Sequence, residues 1–515
     1  MRRSLAVVLS ASLAAGLGLV AVSAAPAATT PVSSPAASAA PSPERGTITW
    51  HACDKDLGLK GFECGTLTVP RDWDDLTNPL NASIELAIHR STSPNRIGAL
   101  TFNPGGPGES GLESASDIRS DLPRSLRNRF DFVAWDPRGI GLSEPQLDNC
   151  LGPRAEPYVP PATGPVDWAR LTQETYDAMA QGQAACLAAN PDVAPYLGTY
   201  YVVRDLESMR VALGESQWNI WGMSYGTRIG YRYAREYPTK VRSLVLDGAW
   251  SPNLTIRSWM NAATWNYATG QAVFSSLFGK KMGYRLQKVI DGLDERSLEV
   301  QGTTYSRWSL LPAIFNNISY QSKFPDVLAV ITLAYRMLYM NDTAAAKRIR
   351  EPLRRLKERA EPNPNAPSNL NFINCRDVDG YPTVDEITRA VQVSAETNGV
   401  AAGVVALAKG SSCAGLPADF THGFTPLVDA LPLPTPPVVV NSLGDTRTEY
   451  VFGRTMANFM TGSSLITYDS TQHVTYLSTP STCVNTAVTR YLLTQQQPGN
   501  LLCPYVPLPP PPQQG

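Results

Sequence analysis

A serine between two glycines stands where a short apolar run gives way to a helical pattern. The run begins at Trp218 and continues into Gly222-Met223-Ser224-Tyr225-Gly226, after which apolar side chains recur at helical spacing. A strand that turns sharply into a helix exposes a serine hydroxyl at its tip, and both glycines are needed because a Cβ there would collide with the neighbouring backbone. The spacing therefore predicts that Ser224 is a hydrolase nucleophile, the alternative being an ordinary turn with a solvated serine.

A serine hydroxyl is a weak nucleophile and needs a general base that is itself oriented by an acid. In the fold class with such an elbow, the acid and then the histidine follow the serine along the chain. Of the four histidines, only His422 and His473 come after the elbow. His473 follows the last plausible strand and is the predicted base, whereas a structural or lid role is predicted for His422. Asp445, just past a strand end, is the predicted acid because Asp469 lies too near the histidine; a turn-capping aspartate is the alternative.

A second glycine-rich segment, Asn103-Pro104-Gly105-Gly106-Pro107-Gly108-Glu109-Ser110-Gly111, follows an earlier strand. Bare backbone N–H groups in such a loop can approach a substrate oxygen closely. An oxyanion hole of this hydrolase type takes one N–H from this loop and one from the residue after the nucleophile, which nominates Gly106 and Tyr225. A phosphate loop is disfavoured because no Gly-Lys-Ser/Thr ending follows, and a simple turn is the remaining alternative.

Strands and helices that alternate along the chain must position these loops. Short apolar or alternating runs predict strands at 47–50, 65–69, 84–88, 99–102, 130–135, 218–223, 241–246, 435–441 and 465–468. Helical spacing predicts helices at 166–189, 202–213, 227–237, 257–275, 281–296, 324–340, 343–360, 384–408 and 483–493. The long helical stretch between the predicted strands at 241–246 and 435–441 predicts an α/β-hydrolase fold with an inserted, mainly helical cap domain.

The expected domain organisation starts with an export signal. Met1-Arg2-Arg3, an apolar run and small residues predict a signal peptide over 1–25, the alternative being an uncleaved membrane anchor. The remaining predicted parts are a flexible leader or pro-segment at 26–45, the first part of the core at 46–250, the cap at 251–430, the second part of the core at 431–503 and a Pro-rich tail at 504–515. The expected location is secreted or extracellular, possibly associated with the cell wall, without stable membrane insertion after signal cleavage.

Charge and cysteine usage restrict the partners. The formal net charge of −1 gives no reason to expect nucleic acid or an anionic membrane surface as a partner. Eight cysteines in an exported chain suggest disulfides, and proximity favours Cys53 with Cys64 and Cys483 with Cys503, leaving Cys150 with Cys186 and Cys375 with Cys413. No Cys-x-x-Cys pair is present and histidines are few, so neither a metal nor another cofactor is expected.

Together these segments resemble the secreted tripeptidyl aminopeptidases of the α/β-hydrolase superfamily, relatives of proline iminopeptidases. The resemblance covers about 47–503 and is weakest in the cap. It rests on Asn103-Pro104-Gly105-Gly106-Pro107-Gly108, Trp135-Asp136-Pro137-Arg138-Gly139-Ile140-Gly141, Gly222-Met223-Ser224-Tyr225-Gly226, Val245-Leu246-Asp247-Gly248, Asn374-Cys375-Arg376-Asp377 and the segment from Cys483 to Cys503. Two departures are Gly444-Asp445-Thr446-Arg447-Thr448-Glu449, where the family usually has proline after the threonine, and Gln472, which replaces a glycine before the histidine.

The resemblance implies a serine exopeptidase that releases short peptides, tripeptides by the family's name, from free N-termini. Some members of the family are better described as esterases. A free α-ammonium in a closed site must be met by carboxylates, because an unpaired charge there is costly. The candidates are Glu109, Asp377, Asp379 and Glu449, each of which has a solvated surface position as its alternative. A carboxylesterase with the same triad is the second hypothesis, and a catalytically silent binding module is the third.

Overall fold

A sheet of ten strands forms the centre of the described part of the chain. The computed structural model describes residues 46–148, 150, 158–357, 366–427 and 430–509. The strands of this sheet and of a separate two-stranded hairpin, β8 with β9, are β1 (Ile48–His51), β2 (Glu63–Pro70), β3 (Asn81–His89), β4 (Gly98–Asn103), β5 (Phe130–Trp135), β6 (Trp218–Met223), β7 (Val241–Asp247), β8 (Leu298–Val300), β9 (Thr303–Tyr305), β10 (Val438–Ser442), β11 (Ser464–Tyr468) and β12 (Leu501–Cys503). The predicted signal peptide, the leader and the last six residues of the predicted tail lie outside the described residues.

The strand order brings the predicted site loops to one edge of the sheet. The order is β1-β2-β3-β5-β4-β6-β7-β10-β11-β12. β1, β2, β3 and β5 pair antiparallel, and every pair from β5 to β12 is parallel. Because parallel strands end at the same edge, the loops after β4, β6, β10 and β11 meet there, around the point where the strand order reverses.

Apolar side chains cover both faces of the sheet. Strands β4, β5, β6 and β10 are buried along their whole length, which explains why they read as continuous apolar runs. Side chains alternate between two apolar clusters, with Trp218 and Ile220 in one and Trp221 and Met223 in the other. The two clusters hold the sheet rigidly between layers of helices, so that the loops at its edge have a fixed base.

Sixteen α-helices occur in the described residues. They are α1 (Gly111–Asp121), α2 (Arg124–Arg127), α3 (Trp168–Ala189), α4 (Thr199–Ala212), α5 (Gly226–Glu236), α6 (Ile256–Phe278), α7 (Lys280–Glu295), α8 (Arg307–Asn317), α9 (Phe324–Tyr339), α10 (Thr343–Arg348), α11 (Arg350–Lys357), α12 (Ala366–Asp377), α13 (Val384–Asn398), α14 (Val400–Gly410), α15 (Tyr450–Phe459) and α16 (Thr482–Thr494). None of these described helices is long and apolar enough to cross a membrane.

Helices α6 to α14 and the β8–β9 hairpin lie between β7 and β10, where the helical cap is predicted. An apolar cluster of their own, which includes Phe274, Leu310 and Ile331, holds most of them together. Two predicted helices differ from the structure. The helix at 384–408 is two helices that break at Gly399, whose φ of 82° suits glycine, and the helix at 343–360 is α10 followed by α11, with 358–360 outside the described residues. Within the cap, sequence analysis missed α8, α12 and the hairpin, and outside the cap it missed α1, α2, α15 and β12.

Four disulfides join the pairs that sequence proximity favours. Cys53 is bonded to Cys64, Cys150 to Cys186, Cys375 to Cys413 and Cys483 to Cys503. The last of these ties α16 to the edge strand β12, and the third closes part of the cap. The predicted pairing is confirmed.

Candidate active site

Ser224 occupies a strained turn between β6 and α5. Its φ is +53°, a left-handed conformation that costs a non-glycine residue about 1–3 kcal/mol. A Cβ on Gly222 would lie 2.3 Å from the carbonyl oxygen of Gly226, and a Cβ on Gly226 would lie 2.5 Å from that of Asn103. The two glycines are therefore required by close backbone packing, and the strain presents the serine hydroxyl at the edge of the sheet.

His473 and Asp445 form a buried hydrogen-bonded pair beside the elbow. His473 Nδ1 lies 2.9 Å from Asp445 Oδ2. The other carboxylate oxygen accepts the backbone N–H groups of Arg447 at 2.8 Å and Thr448 at 3.1 Å, and the Thr448 hydroxyl donates to Oδ2 at 2.9 Å. Because its donors are fixed, the carboxylate holds the imidazole in one orientation and leaves Nε2 for the substrate side.

A short segment of the cap that follows α8, residues 318–321, docks on the loop that carries the histidine. The backbone N–H of His473 donates to Ser319 O at 2.8 Å, and the N–H of Gln321 donates to Gln472 Oε1 at 2.7 Å. The Gln472 amide in turn donates to the carbonyl oxygens of His473 at 2.7 Å and Val474 at 3.1 Å. The glutamine that departs from the family pattern therefore links the cap to the histidine loop.

Asp247, at the end of β7, connects the elbow to the same loop. Its backbone carbonyl accepts the Ser224 N–H at 2.8 Å, and its carboxyl accepts the N–H groups of Thr475 at 2.9 Å and Tyr476 at 2.8 Å. Burial raises the pKa of this carboxyl to about 7, although the two N–H donors act in the opposite direction. Sequence analysis quoted Asp247 only within a family motif and missed this positioning role; the available signal was an aspartate ending a strand next to the elbow strand.

The oxyanion candidates flank the serine. Gly105 packs so closely on the elbow that a Cβ there would lie 2.8 Å from Ser224 Cβ, and the φ of 98° at Gly106 again suits glycine. The side chain of Tyr225 is buried, and its hydroxyl donates to Asp377 Oδ2 at 2.6 Å. This hydrogen bond fixes Tyr225, the N-cap of α5, whose backbone N–H is the second oxyanion candidate.

A cavity of about 580 Å³ lies between the sheet edge and the cap, and Ser224, Gly106 and His473 all line it. About half of its lining residues are apolar or aromatic, including Trp250, Trp259, Tyr267, Phe315 and Tyr320. Three charged side chains also line the cavity, and they belong to Glu109, Lys409 and Arg447. A chamber of this size and polarity fits a short peptide or a comparable ester.

The structure brings one of the four candidate ammonium ligands into the cavity. Glu109 faces it, and enclosure by the walls raises the pKa of its carboxyl, while His473 and Arg447 lower it. Glu449 is buried behind Lys409, with Oε1 3.0 Å from Nζ, and burial raises its pKa.

The other two candidates lie elsewhere. The Asp377 carboxylate is occupied by Tyr225 and by Thr199, whose backbone N–H donates at 2.6 Å, and Asp379 is exposed and does not line the cavity. His422 does not line the cavity either; its Nε2 lies 3.0 Å from Asp74 and its ring stacks on Tyr201. This placement agrees with the structural role predicted for His422.

Comparison with known proteins identifies the family. A sequence profile described as alpha/beta hydrolase fold matches residues 98–311, and one described as TAP-like protein matches residues 399–503. The tripeptidyl aminopeptidase of Streptomyces lividans is 35% identical over 226 residues, which cover 42% of this chain and 41% of that protein. The serine protease Hip1 of Mycobacterium tuberculosis (strain ATCC 25618 / H37Rv) is 31% identical over 477 residues, which cover 84% of this chain and 85% of Hip1. This chain belongs to the tripeptidyl aminopeptidase family of α/β-hydrolases.

Membership in the tripeptidyl aminopeptidase family confirms the predicted fold class and makes the chain a serine peptidase of the hydrolase class. A further relative has an esterase name: carboxylesterase B of Mycobacterium tuberculosis (strain CDC 1551 / Oshkosh) is 28% identical over 221 residues, which cover 39% of this chain and 40% of that protein.

Proposed function

We propose that this member of the tripeptidyl aminopeptidase family is an exported serine exopeptidase that releases tripeptides from free N-termini through an acyl-enzyme on Ser224. The observation that carries the proposal is one cavity lined by the strained Ser224, by His473, which is paired with Asp445, and by Glu109, a carboxylate without an ion-pair partner among the described residues. The name of the Streptomyces relative supports the tripeptide length.

The reaction follows from the residue types. His473 Nε2 removes the hydroxyl proton as Ser224 Oγ attacks the scissile carbonyl carbon, and Asp445 stabilises the imidazolium that forms. The backbone N–H groups of Gly106 and Tyr225 stabilise the oxyanion, each contributing about 3 kcal/mol at the transition state. His473 then protonates the leaving amine, which leaves a serine ester. Water, deprotonated by the same imidazole, hydrolyses that ester and regenerates the hydroxyl.

Glu109 is the proposed ligand of the substrate's α-ammonium. It follows the oxyanion loop directly, so an N-terminus that it binds lies within a few residues of the scissile bond. In this enclosed space the substrate's ammonium exchanges its hydrogen bonds to bulk water for a charge-assisted hydrogen bond to the Glu109 carboxylate. Acetylation of the amine removes the charge and with it this hydrogen bond. Because Glu109 and Ser224 line the same cavity, its size limits the length of peptide that fits between them.

Export is part of the proposal. The N-terminal signal pattern and the four disulfides both suit an oxidising compartment. The second candidate, a carboxylesterase with the same triad, is favoured by the aromatic side chains in the cavity wall and by the esterase name of one relative.

The deciding experiment compares tripeptide anilides with free and with N-acetylated amines. We expect the free substrates to have at least about a tenfold higher kcat/KM, and we expect Glu109→Gln to remove that preference. Asp379→Asn is the matched control, because it removes an exposed carboxylate that does not line the cavity. Equal cleavage of both series by the wild type would refute the aminopeptidase proposal and favour an esterase or endopeptidase.

A further inference from the structure

Two cationic side chains reach the cavity, but only one of them is neutralised by the protein. Lys409 Nζ lies 3.0 Å from Glu449 Oε1 and 5.2 Å from the ring centroid of Trp259. Arg447, by contrast, makes no ion pair with any carboxylate in the described part of the chain. The cavity therefore presents one cation whose charge is already balanced and one that is not.

The Arg447 guanidinium has few protein contacts. Its Cζ lies 5.0 Å from the ring centroid of Tyr320, and Nη2 donates to Asn316 O at the long distance of 3.3 Å. Nε is buried and has no hydrogen-bond partner among the described residues. Since a guanidinium carries five N–H donors, most of its hydrogen-bonding capacity is unused.

The backbone of Arg447 fixes this group relative to the reacting atoms. Its N–H donates to Asp445 Oδ1 at 2.8 Å, so the residue belongs to the same short loop as the proposed acid. The neighbouring residue is also held, because Asn266 donates to Thr446 O at 2.5 Å and the Thr446 hydroxyl bonds to that of Ser319. The guanidinium is therefore held on one wall of the cavity by a rigid loop rather than on a free surface.

A half-buried guanidinium without a counter-ion is costly, and a planar fork of donors matches a carboxylate in shape and charge. Glu109, the acidic group facing the same cavity, is near enough to Arg447 for the cation to lower its pKa, yet the two form no ion pair. The two charges therefore stand apart in one cavity, an arrangement that suits a ligand with both an ammonium and a carboxylate.

We propose that Arg447 forms a binding site for a carboxylate of the peptide substrate. This site rests on the proposed exopeptidase function, because it requires that a peptide occupies the cavity. The carboxylate belongs either to an acidic side chain of the substrate or to the C-terminus of a short peptide. Both sources offer the same bidentate acceptor to the guanidinium.

The experiment measures kcat/KM for matched substrates that differ only in a carboxylate. One arm uses tripeptide anilides with glutamate or glutamine at each position in turn, and the other uses tetra- and pentapeptides with a C-terminal carboxylate or carboxamide. We expect a preference of about tenfold or more for the carboxylate in at least one arm, and that arm identifies its source. Arg447→Gln should bring the ratio close to one, and Arg447→Lys, which keeps the charge but loses the fork, should give an intermediate ratio.

The double variant Lys409→Gln/Glu449→Gln is the matched control, because it removes the other cation of the cavity together with its partner. It should keep the wild-type ratio. A ratio that is equal in the wild type and in Arg447→Gln would show that the arginine only braces the loop against Tyr320 and would overturn the site. A ratio lost in the double variant but kept in Arg447→Gln would also overturn it.

Failure of the site and failure of the proposed function give different results. Cleavage of neutral free peptides without any preference for the carboxylate refutes the Arg447 site alone. Hydrolysis of 4-nitrophenyl butyrate without cleavage of any peptide refutes the exopeptidase proposal, and the peptide-carboxylate site with it. Labelling of Ser224 by a fluorophosphonate in every variant checks that the altered proteins are folded at the site.

Discussion

Replacing Asp247 with asparagine should change how the stability of the protein depends on pH. The carboxyl is fully buried, and burial raises its pKa to about 7 from the ordinary value of 3.8. His473 and Asp445 are the nearby charged groups, of which the first lowers and the second raises this pKa. As the pH rises, the unfolded chain therefore loses the Asp247 proton well before the folded protein does. The stability contributed by this proton is complete below about pH 4 and is lost as the pH rises through 7.

The size of the effect follows from the two pKa values. Between pH 5 and pH 8 the wild type should lose about 2–3 kcal/mol of unfolding free energy from this group, since each pKa unit corresponds to about 1.4 kcal/mol. Asparagine does not titrate, so it avoids this loss. Its amide accepts only one of the two N–H groups from Thr475 and Tyr476, which costs about 1–3 kcal/mol at every pH. The variant should therefore be less stable at pH 5 and about equal to the wild type at pH 8.

Urea unfolding of both proteins with the disulfides intact, followed by tryptophan fluorescence at pH 5 and pH 8, measures the difference. Asp379→Asn is the control, since its carboxylate is exposed and should leave the pH dependence unchanged. A gap between Asp247→Asn and the wild type that is the same at both pH values, or wider at pH 8, would refute the reasoning.

Two further substitutions test the supports of the site. Gln472→Gly restores the residue usual in the family but removes the hydrogen bonds to Gln321, His473 and Val474. We expect the unfolding free energy, measured in urea, to fall by about 1–3 kcal/mol and kcat for tripeptide anilides to fall as well. Unchanged values of both would contradict the role of Gln472 in linking the cap to the histidine loop. Tyr225→Phe removes the hydroxyl that donates a hydrogen bond to Asp377, so the unfolding free energy should fall by about 1–3 kcal/mol. Because the backbone N–H of Tyr225 is an oxyanion candidate, kcat should fall by a larger factor than KM changes. A variant as stable and active as the wild type would show that this anchor does not position the oxyanion donor.

Local patterns were sufficient for the elements around the serine. The spacing of Gly222, Ser224 and Gly226 has a steric cause that acts within a few residues, and the structure has the predicted strand, turn and helix there. The order of acid and histidine is a property of the fold class, so only two histidines after the elbow had to be compared, and the position of His473 after the last plausible strand decided between them. The disulfides followed from proximity in the chain for a similar reason.

Contacts between distant segments were not accessible in this way. The docking of residues 318–321 on the histidine loop joins positions about 150 apart, and nothing in either stretch signals the other. Asp377 was nominated by charge alone, although its carboxylate is occupied by Tyr225 and Thr199. Helical periodicity continues across Gly399, so one helix was predicted where a positive φ makes two. Placement of a charge depends on the tertiary structure, which a single sequence does not reveal.

The most direct test of the central claim is the intact mass of the protein after rapid quenching with a 4-nitrophenyl ester of a tripeptide that has a free N-terminus. The account predicts a covalent tripeptidyl adduct that peptide mapping locates on Ser224, and it predicts that the adduct and the turnover of tripeptide anilides are both absent from Ser224→Ala. Turnover by Ser224→Ala at a rate close to that of the wild type, or an adduct on another residue, would contradict it.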